Sequence, residues 1–248
     1  MTAAVAALWR HPIKGHGREA LDRVTLTEGQ TMPWDRRWAV AHELAQADGS
    51  EWAPSAAFSR GSKVPALMAI NARTDEAAGT VTLTHPDRPD LSFDPDTEAR
   101  AFLDWVRPLM PENRAQSTRV IRVEGRGMTD TDFPSISLIN LASHDALAEK
   151  MDQALSPLRW RGNIHISGLP AWAEFDWVGR TLRVGTAELA VREPILRCLA
   201  TTANPATGQR DADTLGALNS FCGHQDFGIY AEVTKTGDIA IGDAVAPL

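Results

Sequence analysis

Strand-length runs of apolar or alternating residues, each cut short by glycine or proline, constrain this chain more than any other feature. Val5–Trp9, Val24–Leu26, Trp38–Ala41, Thr80–Thr84, Arg119–Val123, Ile136–Asn140, Ile164–Ser167, Thr181–Val184, Glu188–Val191 and Arg197–Thr201 all fit strands, and Val64–Ile70 is a further apolar segment. Thr80-Val81-Thr82-Leu83-Thr84 alternates with the period of two expected of a half-buried strand. A final hairpin turns at Lys235-Thr236-Gly237-Asp238. Many short strands with such punctuation close into barrels. The expected fold class is mainly β with a few short helices.

Three helices interrupt the pattern. Asp94 caps the first and Pro95 suits its opening position; Ala99, Phe102, Leu103 and Val106 recur at helical spacing, and Pro108 and Pro111 end it. Ser143 caps a second that runs through Met151, and a third covers Thr214–Phe221. Turn-formers and charges around residue 112 predict two strand-rich halves, 1–112 and 113–248.

With 248 residues and 43% hydrophobic content, the chain can build a core for one large or two modest domains. A net charge of -7 excludes the basic footprint of a nucleic-acid partner, so a bound anion must be held by local cations. No stretch approaches the length of a bilayer span, and the N-terminal apolar run lacks a basic leader, so a reduced, cytoplasmic setting is expected. Two cysteines cannot ligate an iron-sulfur cluster and show no CxxC spacing; both are expected to be free thiols. The histidines form no zinc-binding pair, and Gly125-Arg126-Gly127 lacks the context of a dinucleotide site.

Arg192–Gly208, REPILRCLATTANPATG, sets Cys198 directly after Arg197 in an apolar run that leads to a turn. A neighbouring cation favours the reactive thiolate, whereas a buried free cysteine commonly serves as a small hydrophobe. Both readings stand on these residues alone. Arg-Cys followed by a Thr-Thr pair and a Pro and Gly turn resembles the signature of MOSC domains. The closing FGIYAEVTKTGDIAIGDAV is similar to that family's final hairpin. Upstream, HPIKG, Asp35-Arg36 with Trp38 nearby, and RWRGN resemble the lysine, DR and R-x-N segments of the longer members, the amidoxime reductases.

That resemblance implies a MOSC-type β-barrel preceded by a smaller N-terminal β-barrel domain. It also implies a molybdenum cofactor (molybdopterin), with Cys198 as the protein ligand to molybdenum; pyridoxal phosphate is not expected. Soft sulfur suits such a metal, and a coordinating thiol is deprotonated. Lys14, Arg36 and Arg161 fall at cofactor-contacting positions, with Asn163 offering an amide to the pterin edge and Arg197 beside the ligand. Asp132, in DTDFPS, falls where an acidic residue lies near the metal, with Ser135 a further polar group in that loop. Where the family has Tyr-Pro-x-Lys-Ser, this chain has Gly15, whose backbone N–H can replace the lost hydroxyl, and His16 is a candidate to fill the polar gap. Arg161-Gly162-Asn163 replaces R-P-N, which is expected to loosen that loop.

The implied activity is reduction of N-hydroxylated compounds such as amidoximes, hydroxylamines or N-hydroxylated bases. The small N-hydroxylated substrate would draw electrons from a separate donor protein, a flavin or iron-sulfur reductase; no membrane or nucleic acid takes part. A rival reading is a sulfur (persulfide) or molybdenum-cofactor carrier acting through Cys198.

Overall fold

The computed structural model describes residues 3–248. The strands of the first half are β1 (Ala3–Arg10), β2 (Glu19–Leu21), β3 (Arg23–Leu26), β4 (Ala39–His42), β5 (Asn71–Asp75), β6 (Thr80–His85) and β7 (Arg88–Phe93). Those of the second half are β8 (Ser117–Ile121), β9 (Ile136–Asn140), β10 (Ile164–Ser167), β11 (Thr181–Val184), β12 (Ala187–Leu196), β13 (Asp226–Lys235), β14 (Gly237–Ala240) and β15 (Ala244–Pro247). Three helices accompany them: α1 (Ala99–Val106), α2 (Leu141–Lys150) and α3 (Thr214–Cys222).

The main sheet runs β10-β9-β13-β12-β11-β15-β1, and a β10–β1 pairing closes it into a seven-stranded barrel. Closure leaves these strands no open edge. Strand β1 is antiparallel to both β10 and β15, so the first strand of the chain completes a barrel built otherwise from residues 136–247. Likewise β3 pairs with β14. Pairings at such sequence separation leave no local signature, which is why the apolar run of β1 marks a strand without naming its partners.

Inward side chains such as Val5, Leu8, Leu138, Ile164, Ile166, Leu189 and Ile229 fill the barrel. A second core in the N-terminal half gathers Ile13, Trp38, Val40, Leu67, Leu83, Phe93 and Phe102 around the meander β5-β6-β7 and helix α1. Strand β6 buries every second residue, as its alternation predicts. The apolar segment Val64–Ile70 is a 3-10 turn over Pro65–Ala69.

Two helix starts differ from expectation. Asp94 caps a turn ahead of α1, accepting from Asp96 N and Thr97 Oγ1, and the helix begins only at Ala99. Asn140, not Ser143, caps α2 through Ala142 N; the Ser143 hydroxyl instead donates to the buried Glu174 carboxylate. The Asp213 side chain caps α3 through Gly216 N. Among the described residues, no helix is long and apolar enough to cross a membrane.

Candidate functional site

At one end of the barrel, where the N-terminal half leans against it, lies a cavity of about 230 Å³. Its basic wall comprises Lys14, Arg36, Arg60, Arg159, Arg161 and Arg197, facing one carboxylate, Asp130. Behind the wall Asp35 pairs with Arg36 and Asp211 with Arg159, so six cations meet three carboxylates and the cavity keeps a local positive excess in a chain of net charge -7.

Cys198 stands at the cavity rim directly beyond the end of β12, and its side chain is exposed. The expected strand over Arg197–Thr201 is not formed. Leu199–Thr202 is a 3-10 turn, because the hydroxyls of Thr201 and Thr202 bond back to the carbonyls of Cys198 and Leu199. Arginines strap this loop in place. Arg197 donates to the carbonyls of Trp160 and Phe227 and lies over both rings, while Arg159 reaches Thr201 O and Ala203 O. Arg18 reaches Pro205 O from the N-terminal half. Arg197 therefore spends its donors on holding the loop. Both cysteines are free.

Lys14 and Gly15 enter from the turn after β1, which the Ile13–His16 bridge tightens. The Lys14 ammonium is buried and fully engaged, by Met128 O at 2.8 Å, Thr129 O at 3.0 Å and Asp130 Oδ1 at 2.5 Å. Burial lowers its pKa, while Asp130 opposes that shift. Gly15 is in the left-handed region at φ 77, and a Cβ there would lie 2.6 Å from Ser59 O. Clash and backbone strain together predict that Gly15→Ala destabilises the protein by about 2–4 kcal/mol, read by denaturant unfolding.

Arg36 and Arg161 also have left-handed backbones, each at φ 50, an unusual state for arginine. Arg36 pairs with the buried Asp35 and donates to Arg161 O at 3.1 Å. Desolvation works against its charge, but the Asp35 carboxylate outweighs that and raises its pKa. Arg161 differs. Both terminal guanidinium nitrogens are shielded from solvent and make no hydrogen bond among the described residues. Burial, then the like charges of Arg36 and Arg18, push its pKa down to about 9. Such unsatisfied donors in a positive field are what an anion would repay.

Other expected residues lie elsewhere. Asp132 is exposed, its carbonyl held by Arg126 at 2.7 Å, and it does not line the cavity. Asp130 does. Its side chain is half exposed at the cavity mouth; the burial it has raises its carboxyl, but Lys14 and then Arg36 outweigh this and hold it below the usual carboxylate range. Ser135 is buried behind the wall, accepting from Thr131 Oγ1. Asn163 also sits behind the wall. It accepts from Ser137 N and Oγ, donates to Trp9 O, and so ties β9 to β1. At its neighbour Gly162 a Cβ would come within 2.2 Å of Ile139 Cγ1, so close packing against β9 calls for glycine there. His16 turns into the N-terminal core, edge-on to Phe102, with Nδ1 on Lys14 O. Trp38 is core as well, donating to Asp96.

Sequence reasoning missed Asp130, Arg60, Arg159 and Tyr230, the chain's sole tyrosine. Burial raises the Tyr230 phenol, with Asp130 adding to the effect, so its proton stays on Oη. Only the Thr129–Pro134 loop and the RWRGN segment offered a signal, and neither says which side chain turns inward.

The family model described as the MOSC domain matches residues 128–246, and that of the MOSC N-terminal beta barrel domain matches residues 2–105. The chain belongs to the MOSC family. Mitochondrial amidoxime-reducing component 1 of Xenopus laevis is 32% identical over 126 residues, 46% of this chain and 36% of that protein. A molybdenum cofactor sulfurase of Caenorhabditis briggsae is 33% identical over 118 residues, 45% of this chain and 16% of that one. This MOSC protein therefore spans well under two thirds of the length of the curated relatives it matches. The YUAD protein from Bacillus subtilis covers 99% of this chain and 94% of its own at 14% identity and a TM-score of 0.45, too loose a likeness to argue from.

Proposed function

We propose that this MOSC protein is a molybdenum-cofactor-dependent reductase of N-hydroxylated compounds, supplied with electrons by a separate donor protein. The observation that carries the reading is the unpartnered Arg161 guanidinium, sharing one cavity with the exposed thiol of Cys198. The residues fit the group. Cys198 offers a soft ligand for molybdenum, and Arg161, with Arg36 and Arg60, offers guanidinium to the phosphate-bearing end. When bound, the cofactor supplies the two-electron redox chemistry.

The chain's own groups supply position and protons. Asp130, kept ionised by Lys14 and reached by Ser55 Oγ at 2.7 Å, is an acceptor for a substrate N–H or N–OH. Tyr230 holds a phenolic proton on the same cavity wall. Leu196, largely exposed and close to Cys198, gives the cavity mouth an apolar edge, which suits an aryl or alkyl substituent. The reaction consumes two electrons and two protons and yields the N–H compound and water.

The test is turnover of an aryl amidoxime by protein purified from a host that makes the cofactor, with a reduced viologen in place of the donor protein. Amidine should form. A second reading, a sulfur or cofactor carrier, is favoured by the exposure of Cys198 and by the sulfurase relative. It requires a persulfide on Cys198 by intact mass and no amidine from the metal-loaded protein.

Arg161 gives a further check. Arg161→Met removes buried, unsatisfied donors, so the cofactor-free protein should gain about 1–3 kcal/mol in stability. Retention of the anionic cofactor should fall by about tenfold or more, the usual worth of a charged hydrogen bond. Thermal unfolding and metal content after dialysis measure the two effects, whose opposite signs distinguish a binding arginine from a structural one.

A further inference from the structure

The turn from Trp34 to Arg37 has a second face. Arg36 lines the first cavity, but the next residue, Arg37, lines a cleft of about 710 Å³ between the 27–37 segment and the 122–127 segment, together with Trp34, Arg122, Glu124 and Arg126. The Arg37 guanidinium lies 5.0 Å from the Trp34 ring centroid and 5.3 Å from that of Trp38. Its Nε is shielded from solvent without a partner. Among the described residues Arg37 makes no side-chain hydrogen bond or ion pair. A guanidinium packed on aromatic rings uses its faces there, and its in-plane N–H edge stays free for a planar acceptor.

Its neighbours are already engaged. Arg122 is paired with Asp96 at 3.2 Å, and Arg126 donates to the carbonyls of Thr131 and Asp132. Asp35 also borders the cleft, but its carboxylate is taken up by Arg36 and by His11 N. The exposed Glu124 is thus the one uncommitted carboxylate facing three guanidiniums. Trp34 itself is held at φ 63, an unusual conformation for a bulky residue and one that invites a functional explanation.

We infer that this cleft is a binding site for a small oxyanion, a phosphate or carboxylate group, gripped by the free edge of Arg37 and drawn in by Arg122 and Arg126. The site is separate from the cavity at Cys198 and stands whatever chemistry that cavity performs. Fork-like donors favour bidentate oxyanions, and the two rings packed against the guanidinium fix the fork in advance.

Titration of the full chain with inorganic phosphate and, separately, acetate at constant ionic strength, followed through the tryptophan indole N–H signals by NMR, tests the site and distinguishes the two sources. The Trp34 and Trp38 signals should shift saturably with at least one anion. Arg37→Gln should weaken that response about tenfold or more, as loss of a charge-assisted contact does. Arg37→Lys keeps the charge without the fork, so it should bind more weakly than wild type and serves if the glutamine variant does not fold. Glu124→Gln should tighten binding, and Arg161→Met, in the other cavity, should leave these two signals titrating as in wild type. No saturable shift with either anion, or an unchanged response in Arg37→Gln and Arg37→Lys, would overturn the assignment.

Discussion

Cys198→Ser should bring amidoxime reduction down to background while leaving the fold intact. The side chain is exposed and makes no hydrogen bond among the described residues, so serine, nearly isosteric, removes no packing. The Cys198 loop keeps its geometry, because its supports are backbone carbonyls held by Arg159, Arg197 and the Thr201 hydroxyl. What changes is the donor atom. A neutral hydroxyl replaces a thiolate that suits a soft-ligand metal centre. Equal thermal unfolding of the two cofactor-free proteins, with activity only in wild-type protein when both are purified from a host that makes the cofactor, is the expected result. A serine variant that turns over like wild type would mean that the thiol has no part in the reaction.

The second large effect is acid lability from histidines sealed in the fold. Burial pushes His16 and His165 down to about 4, and burial together with Arg161 holds His11 well below its usual value. His16 and His165 are therefore largely neutral in the folded protein at pH 6, and His11 is shifted in the same direction, whereas in the unfolded chain all three protonate near pH 6.5. The unfolded state therefore binds more protons in this window, and stability falls as pH drops from about 6.5 toward 4. A displacement of this size is worth on the order of 3 kcal/mol for each fully buried histidine. Below that range the buried Asp35, whose burial cost is outweighed by Arg36 and which is held far below the carboxylate range, adds a further loss as it is forced to protonate. Urea unfolding at pH 7.5, 6.5, 5.5 and 4.5, roughly spanning these titrations, should show a steep decline that His16→Gln and His165→Gln each flatten. A flat profile would mean that water reaches these rings.

Much of the architecture was legible because apolar patterning is a local property. Thr80–Thr84 alternates and Ile136–Asn140 is a short run buried on both faces, so both mark strands, and the helix expected over Thr214–Phe221 forms as α3. The closure of the barrel by β1 was not legible, since partner choice depends on contacts more than a hundred residues away. At the site, the approach of Lys14, Arg36, Arg161 and Cys198 could be anticipated only through family resemblance. Which aspartate of Asp130-Thr131-Asp132 turns inward is decided by tertiary contacts. Lys14 pulls on the carbonyls of Met128 and Thr129 and brings Asp130 in, while Arg126 holds the Asp132 carbonyl on the outside. The Thr201-Thr202 pair could have warned against a strand at Arg197–Thr201, since such hydroxyls readily bond back to the local chain. The space Gly162 leaves for Ile139 of the neighbouring strand was likewise not legible, because it depends on a tertiary contact.

The proposed function requires that the cavity's cations and exposed thiol together retain a molybdenum-bearing anion. Elemental analysis by plasma mass spectrometry, on protein purified without chelators from a host that makes the cofactor, tests this most directly. Molybdenum close to equimolar with the wild-type chain, and strongly depleted in both Cys198→Ser and Arg161→Met, is the predicted result. Wild-type protein that folds, keeps its thiol free and carries no molybdenum would contradict it.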